Sequence, residues 1–101
     1  MQYPTEVKMG AHTIPVAIIS EPIKKVGDKQ WMIGSYHSID RKITQFHSDD
    51  HVDMCGESFL HETIEAANDI YDLQLNHTVI TSLAAALYQA FNSGKVSFAT
   101  N

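Results

Sequence analysis

The chain has 101 residues, 44% of them hydrophobic and 19% charged. That is enough for one compact domain with one modest core and too few for two, and it excludes a disordered tail or a fibrous repeat. The net charge of −5 is uneven: residues 1–47 carry six basic and four acidic groups, whereas residues 48–101 carry one basic and eight acidic. The second half is therefore a poor surface for a phosphate backbone, which argues against nucleic acid as a partner.

In chain order, the first half reads as strands and turns. Glu6 to Met9 alternates, and His12 to Ile19 is a β-rich segment whose Pro15 lacks a ladder donor and therefore predicts an edge or a bulge. Ser20 to Lys29, with Pro22 and Gly27-Asp28, reads as a loop. Trp31 to Tyr36 forms the next apolar segment, Ser38 to Arg41 a turn, and Lys42 to Phe46 returns with alternation. Trp31, Met32 and Phe46 read as core or sheet-edge residues. The period changes after Ser48. A long helix fits from about Asp50 to Leu73, capped by Ser48, Asp49 or Asp50, with Leu60, Ile64, Ala67 and Tyr71 as its apolar stripe. A second helix fits from Asn76 to Phe91 or Asn92, with Ile80, Ala84, Leu87 and Phe91 inward, and residues 95–101 read as a tail. The short connection makes the two helices antiparallel neighbours. The expected fold is α+β, a single domain over 1–101: a small, mostly antiparallel sheet over about 5–47, packed on helices over about 50–73 and 76–92.

No apolar run approaches the roughly 18 residues needed to cross a bilayer, and the amino terminus lacks a basic stretch leading into an apolar one. The single cysteine, Cys55, has no internal disulfide partner. Together these predict a reducing, cytoplasmic setting without a membrane.

The segment Phe59 to Ala67, FLHETIEAA, carries the chemistry. At about 100° per residue, His61 and Glu65 lie about 40° apart on one helix face, so both can reach one ion. Glu62 points about 100° away from His61, positioned to touch a water beside that ion. This is the logic of H-E-x-x-H, with glutamate at the fifth position. Two helical ligands cannot hold a tetrahedral zinc alone, and His77, at the start of the second helix, is the best third candidate. The ion would be zinc or another divalent transition metal.

The remaining histidines carry less weight. His37, His47 and His51 read as surface or sheet-edge residues, of which His47 and His51, just before the active helix, are also candidates to orient a ligand or substrate carbonyl; His12 is farther away and carries no argument. Cys55 reads as a small core residue. Tyr88, about 16 Å along the helix from His77, reads as packing, and Tyr36 is an open candidate for oxyanion stabilisation.

His61-Glu62-Thr63-Ile64-Glu65-Ala66, Asp69 to His77 and Leu83 to Gln89 together resemble the small phage- and prophage-encoded zincin-like metallopeptidase domains related to the ImmA/IrrE group. The resemblance extends to the hairpin over Ile33 to Phe46, covering roughly residues 30–92. It implies a short curved sheet, an active-site helix and a following helix supplying the distal ligand. On it, His61 is the first ligand, Glu62 the catalytic base and His77 the distal ligand, with Glu65 where the family usually carries histidine. The expected activity is zinc-dependent hydrolysis of peptide bonds, with a peptide aligned on an exposed strand at Ile43 to Phe46. The competing expectation is a non-catalytic interaction or regulatory module on the same scaffold, with or without a structural metal, whose partner is a protein or peptide. A catalytic site keeps one coordination position open beside Glu62, whereas a structural one is closed by a fourth ligand, for which Asp72 is a candidate.

Overall fold

The computed structural model describes residues 3–24 and 31–94. The predicted tail over 95–101 and the second half of the predicted loop, residues 25–29, lie outside them. Six strands, β1 (Glu6–Met9), β2 (His12–Ile19), β3 (Ile23–Lys24), β4 (Trp31–Met32), β5 (Gly34–His37) and β6 (Lys42–Phe46), precede a 3-10 turn (Asp49–His51) and two helices, α1 (Val52–Ile70) and α2 (His77–Gly94). The α+β class and the two-helix layer are as predicted. No helix among the described residues is long and apolar enough to cross a membrane.

The main sheet has the order β1-β2-β6-β5, and β3 pairs with β4 in a separate two-stranded ribbon. Pairs β1·β2 and β5·β6 are antiparallel, as predicted, but β2 and β6 run parallel, from Val16 opposite Ile43 to Ile19 opposite Phe46. The sheet is therefore mixed. Pro15 sits at neither an edge nor a bulge. It pairs with Glu6 where the β1 ladder ends, and the β6 ladder begins at Val16, whose N–H donates to the Thr5 carbonyl at 2.9 Å. Proline thus falls where no donor is needed, at the handover between two partners of one strand. The segment expected as loop contains β3, and Ile33 divides the apolar run of Trp31 to Tyr36 into β4 and β5.

A second correction concerns β6. It is interior, flanked by β2 and β5, so Ile43 to Phe46 cannot receive a peptide at an edge; among the described residues, the free edge on that side is β5. Two alternate residues of β6, Ile43 and Gln45, are fully buried.

Met9, Ile14, Ile43 and Ala66 form the core, with Val7, Val16, Phe59 and Ile70 packed against them. Helix α1 covers the sheet, and α2 packs on α1. The face that α1 buries is phased differently from the expected stripe: Cys55, Gly56 and Ala66 are buried, whereas Tyr71 is half exposed. On α2 the buried positions are Ile80, Ala84 and Tyr88, four residues apart; Leu87, expected inside, is exposed. The Tyr88 hydroxyl donates to Asp53 Oδ1 at 2.8 Å and so ties the helices together, in keeping with its predicted packing role.

The helix ends follow local chemistry. Ser48 Oγ accepts from the Asp50 N–H and starts the 3-10 turn, and Asn76 Oδ1 accepts from the Val79 N–H at 2.9 Å, capping α2. Between the helices, Asp72 and Gln74 take positive φ. Asn68 holds this turn with both ends of its amide, accepting from the Leu75 N–H at 2.9 Å and donating to the Leu75 carbonyl at 3.3 Å. The turn returns α2 along α1 and so sets His77 beside α1.

Candidate functional site

Beside the free edge of β5 lies a hollow of about 620 Å³, floored by α1 and walled by β4, β5 and α2. His61 and Glu62 line it from α1 and His77 from the first turn of α2. The His61 and His77 rings meet edge to face, with centroids 4.9 Å apart. Two of the three predicted ligands, sixteen positions apart in sequence, are thus brought together by the Asn68-clamped turn.

Glu65 is placed differently. It lines a neighbouring polar hollow of about 400 Å³ with Tyr36, Asp69 and Asp72. Its charge still acts on both His61 and Glu62, so it stands near the partition between the hollows. Among the described residues, no three His, Cys, Asp or Glu side chains are gathered so that they could hold a metal ion. The donor chemistry of His61, His77 and Glu65 suits zinc, but only the two imidazoles meet; the carboxylate lines the neighbouring hollow.

Burial pushes the Glu62 carboxyl up to about 7, the Glu65 charge adds to the rise, and the backbone N–H of Tyr36, donating to Glu62, opposes it. Burial also lowers the pKa of His61; Glu65 acts against the shift and His77 with it. A lowered pKa favours neutral imidazole, the form that offers a lone pair to a metal or a proton. The site therefore combines a carboxyl poised to exchange a proton near neutrality with an imidazole kept uncharged.

Gly34 permits this arrangement. A Cβ there would lie 2.6 Å from Ser58 Oγ, 2.7 Å from Gln45 Oε1 and 3.1 Å from Glu62 Cγ. Only glycine lets β5 approach α1 closely enough to bring the Tyr36 N–H to Glu62. Beneath them, the fully buried Gln45 donates to the carbonyls of Ile33 at 3.0 Å and Phe46 at 2.9 Å and accepts from Ser58 Oγ. This amide pins the start of β5 to β6. Gly34, Gln45 and Ser58 carry no spacing signal in the sequence, because long-range strand pairing alone unites them.

The other predicted residues sort clearly. The Tyr36 hydroxyl donates to Asp69 Oδ2 at 2.7 Å, and burial with that bond pushes its pKa up to about 12. Its proton is committed at the second hollow and not at the first. Asp72 also belongs to the second hollow. His47 is bonded to the Tyr3 hydroxyl at 2.9 Å and to Asp49 Oδ1 at 3.0 Å, fastening the start of the chain to the entry of α1. His12 contacts Arg41, and His37 contacts Ser35. His51 is exposed, and Cys55 is buried as a core residue.

No protein-family model, curated protein or solved structure matches the chain.

Proposed function

We propose that the hollow between α1, α2 and β5 is a metal-assisted peptide-hydrolysing site of zincin-like type. The observation that carries this reading is the meeting of His61 and His77 at 4.9 Å in the hollow that Glu62 also lines. His61 and His77 would hold a zinc-class ion, with Glu65 drawn across the partition as the third ligand. A bound ion supplies the Lewis acidity that an amide carbonyl and a water lack by themselves.

The chain's own residues supply the rest. Glu62, with a proton affinity matched to neutral pH, takes a proton from the attacking water and returns it to the leaving amine. The β5 edge offers an extended peptide a strand to lie along, replacing the β6 alignment that the topology forbids. Trp31, Met32, Ile33 and Met54 line the same hollow, and their apolar surface favours a substrate with a large apolar side chain near the cleaved bond.

The absence of a pre-gathered ligand trio among the described residues favours a second reading, a peptide-binding module without catalysis. Metal titration followed by peptide-library cleavage separates the two. The peptidase reading expects about one cobalt or zinc ion per chain, lost in His61→Ala and His77→Ala, and cleavage that falls by orders of magnitude in Glu62→Gln. Equal metal uptake by parent and both histidine variants overturns the metal site. Peptide binding without cleavage by the metal-loaded parent establishes the second reading.

A further inference from the structure

The hollow beside β5 holds sulfur donors that the hydrolytic reading uses only as apolar surface. Met9 belongs to the core, whereas Met32 from β4 and Met54 from α1 line the hollow together with His61 and His77. Met54 is 46% exposed, so packing in a core does not account for it. Two thioethers therefore stand beside two imidazoles, with Trp31 on the same wall.

We infer that this hollow binds a copper(I) ion through the imidazoles of His61 and His77 and the thioethers of Met54 and Met32. The inference shares with the peptidase reading only the pairing of the two histidines. Thioether sulfur is a soft donor, which selects copper(I) over harder divalent ions. The number of donors that meet points the same way. A zinc site asks for a tetrahedron, yet the imidazoles meet as a pair and the Glu65 carboxylate lines the neighbouring hollow; copper(I) is stable with as few as two donors and takes a third or fourth where sulfur is at hand. All four side chains bind a metal in neutral form, so a monovalent ion brings less charge out of water than a divalent one. Glu57, on the same wall, adds a negative potential that favours a cation.

Helix geometry permits the contact. Met54 precedes His61 by seven residues, which returns it to nearly the same helix face about 10 Å along the axis. Side chains lean toward a helix's N-terminus, which brings His61 back toward Met54, and the unbranched methionine adapts its reach.

Anaerobic titration of the full chain with copper(I) buffered by bicinchoninate tests this, and emission from Trp31, the single tryptophan, reports the ion's arrival in the hollow. One copper(I) per chain is expected, with quenching. Affinity should fall at least about tenfold in the double variant Met32→Leu/Met54→Leu, since even groups behind a metal's ligands are worth that much, and further in His61→Ala. Methionine to leucine conserves volume and should leave the fold intact. Glu65→Gln should bind copper(I) as the parent does, as should Cys55→Ala, whose thiol is buried and lies outside the hollow's lining. Should the double variant lose its helical circular dichroism, copper K-edge absorption of the Cys55→Ala protein decides, with sulfur neighbours expected beside nitrogen. Copper(I) held as tightly by the methionine variant as by the parent, or nitrogen neighbours alone, overturns the inference. A chain that binds zinc and not copper(I) overturns it and leaves the peptidase reading standing; one that binds copper(I) and not zinc does the reverse.

Discussion

At the scale of single residues, Glu62 ties stability to pH. Its carboxyl ionises near 4.5 when unfolded and at about 7 in the fold, chiefly through burial. Between those values the folded chain holds a proton that the unfolded chain has released, so the associated stability is complete below about pH 4.5 and is lost as pH rises through about 7. Glu62→Gln mimics the protonated form. In chelator, thermal melts should show the variant about 1–2 kcal/mol more stable than the parent at pH 8, with allowance for solvent screening, and nearly equal to it at pH 4. A variant that melts lower than the parent at pH 8 would show that Glu62 is held by favourable contacts outweighing its burial. At the same scale, Asn68→Ala removes both bonds to the Leu75 backbone. A loss of about 1–2 kcal/mol in denaturant melts is expected, together with a change in the environment of His77 detectable by imidazole NMR.

At the scale of elements, the approach of β5 to α1 depends on one missing side chain. Gly34→Ala sets a Cβ against Ser58 Oγ and Gln45 Oε1, and about 1–3 kcal/mol of destabilisation is expected. Adding Ser58→Ala should restore part of the loss and not all, because Gln45 remains in place. What could be read from sequence and what could not divides along the same line. The β5·β6 hairpin, both helices, the Asn76 cap and the His61, Glu65 and His77 candidates are matters of local spacing, and local spacing is visible in a single chain. The parallel β2·β6 pair, the interior position of β6 and the buried Gln45 arise from distant segments meeting, and no short pattern marks them. The inward placing of Leu87 differs from the structure for another reason: α2 is apolar nearly all round, so periodicity does not define its buried face. Helical angle sets Glu65 on the face of His61, but angle does not reveal that Glu65 lines a neighbouring hollow with Tyr36, Asp69 and Asp72.

At the scale of the whole molecule, a metal joining His61 to His77 would bind α1 to α2 and stabilise the folded state by mass action. Addition of zinc at about 100 times its dissociation constant should raise stability by about 2.7 kcal/mol in the parent and leave His61→Ala and His77→Ala unmoved in calorimetry. An equal rise in all three would mean that the ion binds elsewhere.

Strand β2, divided at Pro15 between two partners, also sets an order of assembly. Its first half closes with β1 as a tight local hairpin, and the helical pair closes just as locally through Asn68, but Val16 can meet Ile43 only after the intervening chain has been drawn in. Long-range parallel pairing pays its closure entropy before contacts compensate it, and is accordingly slow. In pulse-labelled hydrogen exchange, amides bonded within α1 and α2 and across the β1·β2 and β5·β6 hairpins should be protected first, and those bonded across the parallel β2·β6 ladder last. Because the β5·β6 hairpin joins the rest of the sheet through that ladder, the hollow beside Glu62 would acquire its β5 wall only in the final step, and a nascent chain would lack it until the sheet is complete.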